Sequence, residues 1–437
     1  MSAVGGHVVV VDLGYGDAGK GTVVDHLCAR TDRPRPHAVV RFNGGAQAAH
    51  NVVTTDGRHH TFAQFGAGTF TPGVLTHLSR FTLVDPLALA AEAAHLAAVG
   101  VPDALDRLTV DGAALLTTPY HAAANRARAA TLRHGTCGVG IGETMAYALA
   151  RPDAAPRVAD CRRPAVLHRR LTALRDHLVA ELGPLDVPPV EACVDACLAF
   201  AGRVRVTHGP AYLRGLLDRG PVVFEGAQGV LLDEWHGFHP HTTWSTTTFA
   251  NAETLLAECG HRAVRLGVVR AYGTRHGAGP FVTEDPGLDR PEPHNGTGRW
   301  QGAFRVGHLD LVALRHALGV CGGVDALAVT HLDRPAPLVC PAYELDGRTV
   351  TRLDPGADPA DLAGRERFTR SLGRAVPRYR ELDEDPARLL SAEAGAPVVL
   401  RSYGPTAADK VTEPVLTGDR HHVTRVSLEP ALPLPGK

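Results

Sequence analysis

Lysine is almost absent from this chain. Of its 45 basic residues 42 are arginine, and the lysines are Lys20, Lys410 and Lys437. With alanine, glycine and proline abundant, the skew reads as base-composition bias, which makes a lysine that is kept informative. An excess of either charge is also missing, 45 basic side chains facing 46 acidic ones. That balance removes the blanket attraction on which non-specific binding to nucleic acid or a membrane surface depends. No apolar run approaches the roughly 20 residues of a membrane span, and Met1 to His7 lacks the charged and apolar regions of a signal peptide. The eight cysteines form no C-x-x-C pair. Cys193 and Cys197 share a helix face at i, i+4, which suits a pair of metal ligands or, the preferred reading, two small buried apolar groups. These absences lead to the expectation of a reduced, cytoplasmic protein with neither nucleic acid nor membrane as partner.

What is present is ordinary core material: 437 residues, 44% hydrophobic and 21% charged, enough for one large domain or two average ones. His7 to Leu13 (H-V-V-V-V-D-L) suits a strand buried on both faces. It stops at the turn Gly14-Tyr15-Gly16-Asp17-Ala18-Gly19-Lys20-Gly21, and Thr22 to Arg30 continues at helical spacing. Ala38–Phe42, Pro221–Phe224, Ala263–Val269, Ala326–Thr330 and Ala396–Leu400 are further strand candidates, and 86–100 and 120–133 are helical in period. Pro152–Pro164 and Pro335–Thr369, rich in Pro, Asp and Arg, read as loops. Apolar runs that repeatedly end at polar turns predict an α/β fold: residues 1–437 as one large domain around a mostly parallel central sheet, with ligands at the carboxyl ends of its strands.

Gly14 and Gly19-Lys20 satisfy G-x-x-x-x-G-K between a strand and a helix, the context a phosphate loop requires. Its backbone N–H groups, the helix N-terminus and the lysine all favour phosphate. A glycine turn without a ligand is the competing reading. Position 21 is glycine, so the hydroxyl that usually follows the lysine is displaced to Thr22, while an acid, Asp17, sits inside the loop. Asp17 is a candidate metal ligand, general base or both, and an N-capping aspartate is the alternative.

With this loop other segments fall into order, and the chain resembles the adenylosuccinate synthetase family, GTP-dependent ligases that join aspartate to IMP. The family's G-D-E-G-K-G is similar to Gly16–Gly21, R-Y-Q-G-G-H-N-A-G-H-T to Arg41–Asn51, and G-T-T-G-R-G-I-G to Gly135–Gly142. F-E-G-A-Q-G-x-L-L-D is matched at 224–233 and A-Y-x-T-R-x-G-A-G-P-F-x-T-E at 271–284. T-K-L-D and S-T-G-P resemble Thr330–Asp333 and Ser402–Pro405. The resemblance implies that Asp17 takes the purine N1 proton, that His50 is the acid beside the transferring phosphoryl group, and that Gln228 bonds the purine 6-oxygen. It implies GTP at Gly16, Asp17, Ala18, Gly19, Lys20, Gly21, Thr22, His331, Asp333, Ser402 and Gly404, with Lys20 on the γ-phosphate and Asp333 on guanine. IMP would meet Asp17, Gln47, Cys137, Arg151, Gln228, Thr243 and Arg299, Arg151 reaching across a homodimer interface. The amine substrate would meet Thr297, Arg299 and Arg305, and magnesium Asp17 and Ala49.

Departures from the family pattern lie where specificity is set. The loop glutamate is Ala18, the first histidine and the asparagine of the second motif are Ala46 and Gln47, a phosphate-binding threonine is Cys137, and the lysine of T-K-L-D is His331. The amine segment, T-T-G-R-R-R-R-T-G-W-L-D in the family, reads G-T-G-R-W-Q-G-A-F-R-V-G-H-L-D over 296–310, with two arginines for four. A dicarboxylate needs opposing positive charge, so drift is open, and so is a first alternative, a specialised relative that takes another amine or another purine nucleotide. A second alternative is a GTP-binding regulator without ligation, against which the retention of Asp17, His50 and Gln228 speaks. His236, His239 and His241 suit zinc less well than the family match, and Trp244 and Trp300 stand beside proposed ligand positions.

Overall fold

The computed structural model describes residues 6–32, 34–129, 136–292, 295–296, 300, 302–356 and 358–413. The β-branched run His7–Asp12 becomes the fifth of ten strands in one sheet. Across the sheet the order is Lys410–Thr412, Val398–Ser402, Ala326–Thr330, Ala263–Arg270, His7–Asp12, Val222–Glu225, Ala38–Arg41, Leu75–Leu78, Leu108–Asp111 and Arg205–Thr207. Every neighbouring pair is parallel except Lys410–Thr412, which runs against Val398–Ser402. A parallel sheet must be covered on both faces, and alternate valines of the first strand show how. Val8 and Val10 enter one apolar cluster with Leu89, Leu96, Leu171 and Val194, while Val9 and Val11 enter another with Leu216, Leu255, Val312 and Leu390. The helices Pro86–Ala98, Pro164–Leu182 and Val190–Arg203 therefore cover one face, and Pro210–Arg219, Ala250–Cys259, Leu311–Cys321 and Pro386–Ala394 the other.

The expected α/β class and the parallel sheet are what is found. One segment read as loop is not. Between Pro335 and Thr369 lie the strands Leu338–Leu345 and Arg348–Val350 and most of the helix Leu362–Leu372. Pro341 falls where the pairing of Leu338–Leu345 with Val376–Glu381 slips between Val339 and Ala342, a bulge that tolerates a residue without an N–H. Within 152–164 a short 3-10 turn, Val158–Arg162, precedes a helix that starts on Pro164, the position where proline's missing donor costs nothing. The helix expected over 120–133 is described as Pro119–Ala129, and 130–133 lie outside the described residues. Two hairpins leave the sheet toward the carboxyl edge, His50–Val53 with His59–Phe62 and Gly273–His276 with Phe304–Gly307.

Candidate active site

The central strand ends at Asp12 and the helix Lys20–Ala29 begins eight residues later. Gly16, Asp17 and Gly19 all have positive φ, at 95°, 58° and 90°, so successive N–H groups turn inward as an anion-binding nest. For Asp17 that conformation carries strain that an aspartate tolerates better than most residues. Around its carboxylate stand His276, with Nδ1 3.8 Å away, and Arg270, whose guanidinium donates to the Asp17 carbonyl at 2.8 Å. Burial pushes Asp17 up, but His276, Lys20 and Arg270 outweigh it and hold the carboxyl below its ordinary range. Asp17 in turn raises His276. An ionised carboxylate inside the loop is the result. Gly21 is glycine for a spatial reason: a Cβ there would come 2.9 Å from the Cβ of His50 and 3.2 Å from the Asn51 carbonyl. The displaced Thr22 hydroxyl donates to the Pro405 carbonyl at 2.7 Å, tying the loop to Ser402–Pro405 rather than facing a phosphate.

His50 is buried, and its Nδ1 lies 2.5 Å from Oε1 of Glu225, the last residue of the strand Val222–Glu225. Burial lowers the imidazole and the nearby Arg41 lowers it further, against Glu225; burial raises Glu225, but Arg41 and His50 bring it down. The pair is a neutral imidazole donating from Nδ1 to a carboxylate, with Nε2 left for a ligand. Asn43 joins the next two loops, donating to the carbonyls of Ala227 and Thr246 and accepting from the Ala227 N–H. Gly44 packs so closely that a Cβ would sit 2.7 Å from that of Ala227 and 3.3 Å from Oε1 of Gln228. Gln228, at φ 55°, lies against Gly16, and its Oε1 is buried without a partner. Both amide atoms of Gln47 are likewise buried and unpaired. A buried amide oxygen without a partner beside the loop, at Gln228, fits a polar ligand.

Four of the residues expected at GTP, His331, Asp333, Ser402 and Gly404, lie at or just past the carboxyl ends of two adjacent strands, Ala326–Thr330 and Val398–Ser402. The Thr330 hydroxyl donates to the Ala18 carbonyl at 2.7 Å, His331 has φ 58°, and the Leu332 N–H bonds the Ser402 carbonyl at 3.0 Å. Burial, then Arg270, Arg334 and Lys410, drives His331 well below its usual pKa, so a neutral imidazole stands beside Asp333. Lys410 donates to the carbonyls of Gly404 and Thr406 at 2.8 and 2.7 Å and fixes that turn.

The remaining site residues are more dispersed. Cys137 precedes Gly140, from which the helix Ile141–Ala150 starts, and burial raises its thiol. Trp300 lies over Gly138, where a Cβ would be 2.9 Å from its ring, and Trp244 touches the same stretch at Gly142. Thr243 donates its N–H to Leu232 at 2.8 Å, and Arg151 is on the surface with Nη2 3.5 Å from His177. Thr297 and Arg299 lie outside the described residues. The Arg305 guanidinium is already engaged. Nε and Nη2 grip Glu284 at 2.9 and 2.5 Å, and Nη1 donates to the carbonyls of Gly277 and Gly279 at 2.9 and 3.0 Å. Directly opposite in the hairpin, Arg275 donates to Ala278 and Pro280 beneath the same turn. Asp12, Glu225, Asn43 and His276 were not singled out from sequence; the F-E-G-A-Q-G match held the signal for Glu225.

No group of three His, Cys, Asp or Glu among the described residues is placed to hold a metal ion. Magnesium asks for less, taking one or two carboxylates and completing its shell with water and phosphate. The ionised Asp17 and the exposed backbone of Ala49, one residue before His50, fit an ion that arrives with a nucleotide.

A glycine-rich loop at the centre of a parallel sheet, with an ionised carboxylate inside it and an unpaired amide oxygen beside it, fits a nucleotide-dependent enzyme. Residues 9–406 match the adenylosuccinate synthetase family. The adenylosuccinate synthetase of Stenotrophomonas maltophilia is 34% identical over 92% of this chain and 97% of that protein, and that of Paraburkholderia xenovorans 32% over 92% and 95%. The chain belongs to the adenylosuccinate synthetase family, GTP-dependent ligases that form a carbon–nitrogen bond. Its fold is shared with fully ligated adenylosuccinate synthetase from Plasmodium falciparum, at a TM-score of 0.78 and 21% identity over 94% of this chain and all of that one. Cyanophage S-2L succinoaminodeoxyadenylate synthetase, bound to dGMP and dATP, aligns at 0.59 and 19% identity over 93% and 95%. No helix among the described residues is long and apolar enough to cross a membrane.

Proposed function

We propose that the chain joins L-aspartate to C6 of IMP at the expense of GTP, in the cytoplasm and as a homodimer to which Arg151 contributes across the interface. The observation that carries this reading is the ionised Asp17 inside the phosphate loop, beside Gln228, whose Oε1 is buried without a partner and whose NH2 is the donor a purine oxygen needs. A purine 6-oxo group leaves poorly. Asp17 removes the N1 proton, which moves negative charge to O6, and Gln228 orients that oxygen. O6 then attacks the γ-phosphorus, the bond to the β-bridging oxygen breaks, and GDP departs. Lys20 and the loop N–H groups take up the charge that develops on the phosphoryl oxygens. His50, held by Glu225, presents Nε2 to the same group, whose negative charge favours the imidazolium. Magnesium bound with the nucleotide neutralises phosphate charge. The amine then attacks C6, and inorganic phosphate leaves with the electrons of the C6–O6 bond. IMP would meet Cys137, Gln47 and Thr243, and the amine would fall to Thr297, Arg299 and Arg305. Asp333 receives guanine beside His331, and Ser402 and Gly404 also meet GTP.

One observation favours a second reading, a different amine: the Arg305 fork is closed on Glu284 and two carbonyls, which leaves little of it for a dicarboxylate. Phosphate release from GTP with IMP and magnesium, with and without aspartate, separates the readings when the product is weighed. Adenylosuccinate supports the first. IMP-dependent GTP turnover that aspartate does not convert to product, but another amine does, selects the second. GTP binding with no turnover under any purine monophosphate would leave a regulator.

A further inference from the structure

Asp12 is the last residue of the central strand and is 1% exposed. Its Oδ1 accepts from the Gly14 N–H at 2.8 Å, and its Oδ2 accepts from the Ala18 N–H at 2.9 Å and from Lys20 Nζ at 3.1 Å. Lys20 is itself only 4% exposed. Each of these three donors belongs to the phosphate loop, and Asp12 Oδ2 binds a loop N–H and the ammonium together, as a phosphate oxygen would. A second acid beside a phosphate site weakens its pull on anions, since the loop now sets one lysine against Asp12 and Asp17. Something must offset that cost. A lysine head is a compact charge with three donors on a flexible stem. One donor on Asp12 fixes it at the strand end, and two remain for phosphate oxygens. From the other side, Thr330 holds the Ala18 carbonyl and touches Gly19.

We propose that Asp12 is the positioning residue of phosphoryl transfer: it holds the Lys20 ammonium in register with the γ-phosphate, and Lys20 stabilises the transferring group only while so held. The inference rests on the ligase reading above, in which Lys20 meets the γ-phosphate.

Asp12→Asn keeps an oxygen toward Ala18 and Lys20 but removes the charge. The expected result is a fall in kcat of roughly 10- to 100-fold, with the KM for GTP unchanged or lower, because less negative charge faces the phosphates, and the KM for IMP unchanged. A merely structural role would instead raise the Michaelis constants together as the melting temperature falls. Combined with Lys20→Met, Asp12→Asn should cost less than about twofold more, since Asp12 acts through that lysine. A kcat within twofold of wild type, or the same loss with and without Lys20, overturns the proposal. A second measurement needs no folded Asp12 variant. With three lysines in the chain, lysine labelled with ¹⁵N at Nζ gives a spectrum in which Lys20 is assigned by its loss in Lys20→Met. The full-length wild-type protein should show a slowly exchanging Lys20 ammonium that shifts, yet persists, when a non-hydrolysable GTP analogue is added. A fast-exchanging Lys20 before and after the analogue overturns the proposal. Should wild type release no phosphate, the ligase reading fails separately, and the lysine signal still decides whether Asp12 holds Lys20.

Discussion

Two carboxylates five residues apart, one closing the central strand and one inside the loop that follows, suit opposite duties because their surroundings differ. Asp12 is sealed among donors, whereas the Asp17 side chain is 26% exposed and faces the space where a base would work. Replacing Asp17 with Asn should abolish ligation while leaving the melting temperature close to wild type, since Asn keeps the size of the side chain and tolerates the positive φ; an active variant would remove it as the base. Glu225→Gln should act through His50, lowering kcat about 100-fold or more, with a circular dichroism spectrum like wild type; retained activity would show that Nε2 needs no fixed tautomer. Residues inside motifs, such as Asp17, Lys20, His50 and Gln228, could be nominated from sequence because whole segments match the family pattern in order and because lysine is rare in this chain. Asp12 could not, since an aspartate at the end of a valine run reads as the edge of a strand. His276 was hidden because its partner is more than 250 positions away and only the hairpin brings the two together.

At the level of the element, the missing hydroxyl at position 21 is a packing outcome. Gly21→Ser restores the usual phosphate-loop residue on paper, but its Cβ would press on His50 and the Asn51 carbonyl at 2.9 and 3.2 Å. The variant should lose roughly 1–3 kcal/mol and be less active than wild type, as a paired melting curve and phosphate-release assay would show; a gain in either would mean that the His50 hairpin yields easily. Strands were legible where the chain is apolar throughout, as at Ala326–Thr330, and misread where proline interrupts a bulged strand, as at Pro341. The hairpin of Arg275 and Arg305 was also hidden, because both arginines answer to carbonyls in the turn between the strands, which no side-chain pattern announces.

At the scale of the molecule, one buried carboxyl on the helix that follows the loop ties stability to pH. Asp25, on the helix Lys20–Ala29, is buried, and that burial pushes its carboxyl up to about 7, against the pull of Lys410 and Arg58. Between about pH 4 and pH 7 the unfolded chain releases a proton that the folded chain keeps, so stability falls as pH rises through that window and levels off above it. Asp25→Asn should flatten the profile, matching wild type near pH 4 and exceeding it at pH 8 by up to about 4 kcal/mol. Parallel profiles for the two proteins would show that Asp25 is ionised throughout. The α/β class followed from apolar runs ending in turns, but the order of strands did not, because nothing in a valine-rich run states which distant run lies beside it.

That order has a consequence for how the protein is made. His7–Asp12 pairs with Val222–Glu225 on one side and Ala263–Arg270 on the other. At a ribosomal pace of roughly 5–20 residues per second, the first strand to emerge waits on the order of tens of seconds for its neighbours. A chain arrested before the Ala263–Arg270 strand has left the exit tunnel therefore carries the whole phosphate-loop sequence with one flank of its strand still bare. Such nascent chains should recruit chaperones and hold no nucleotide, and release from the one should coincide with capture of the other.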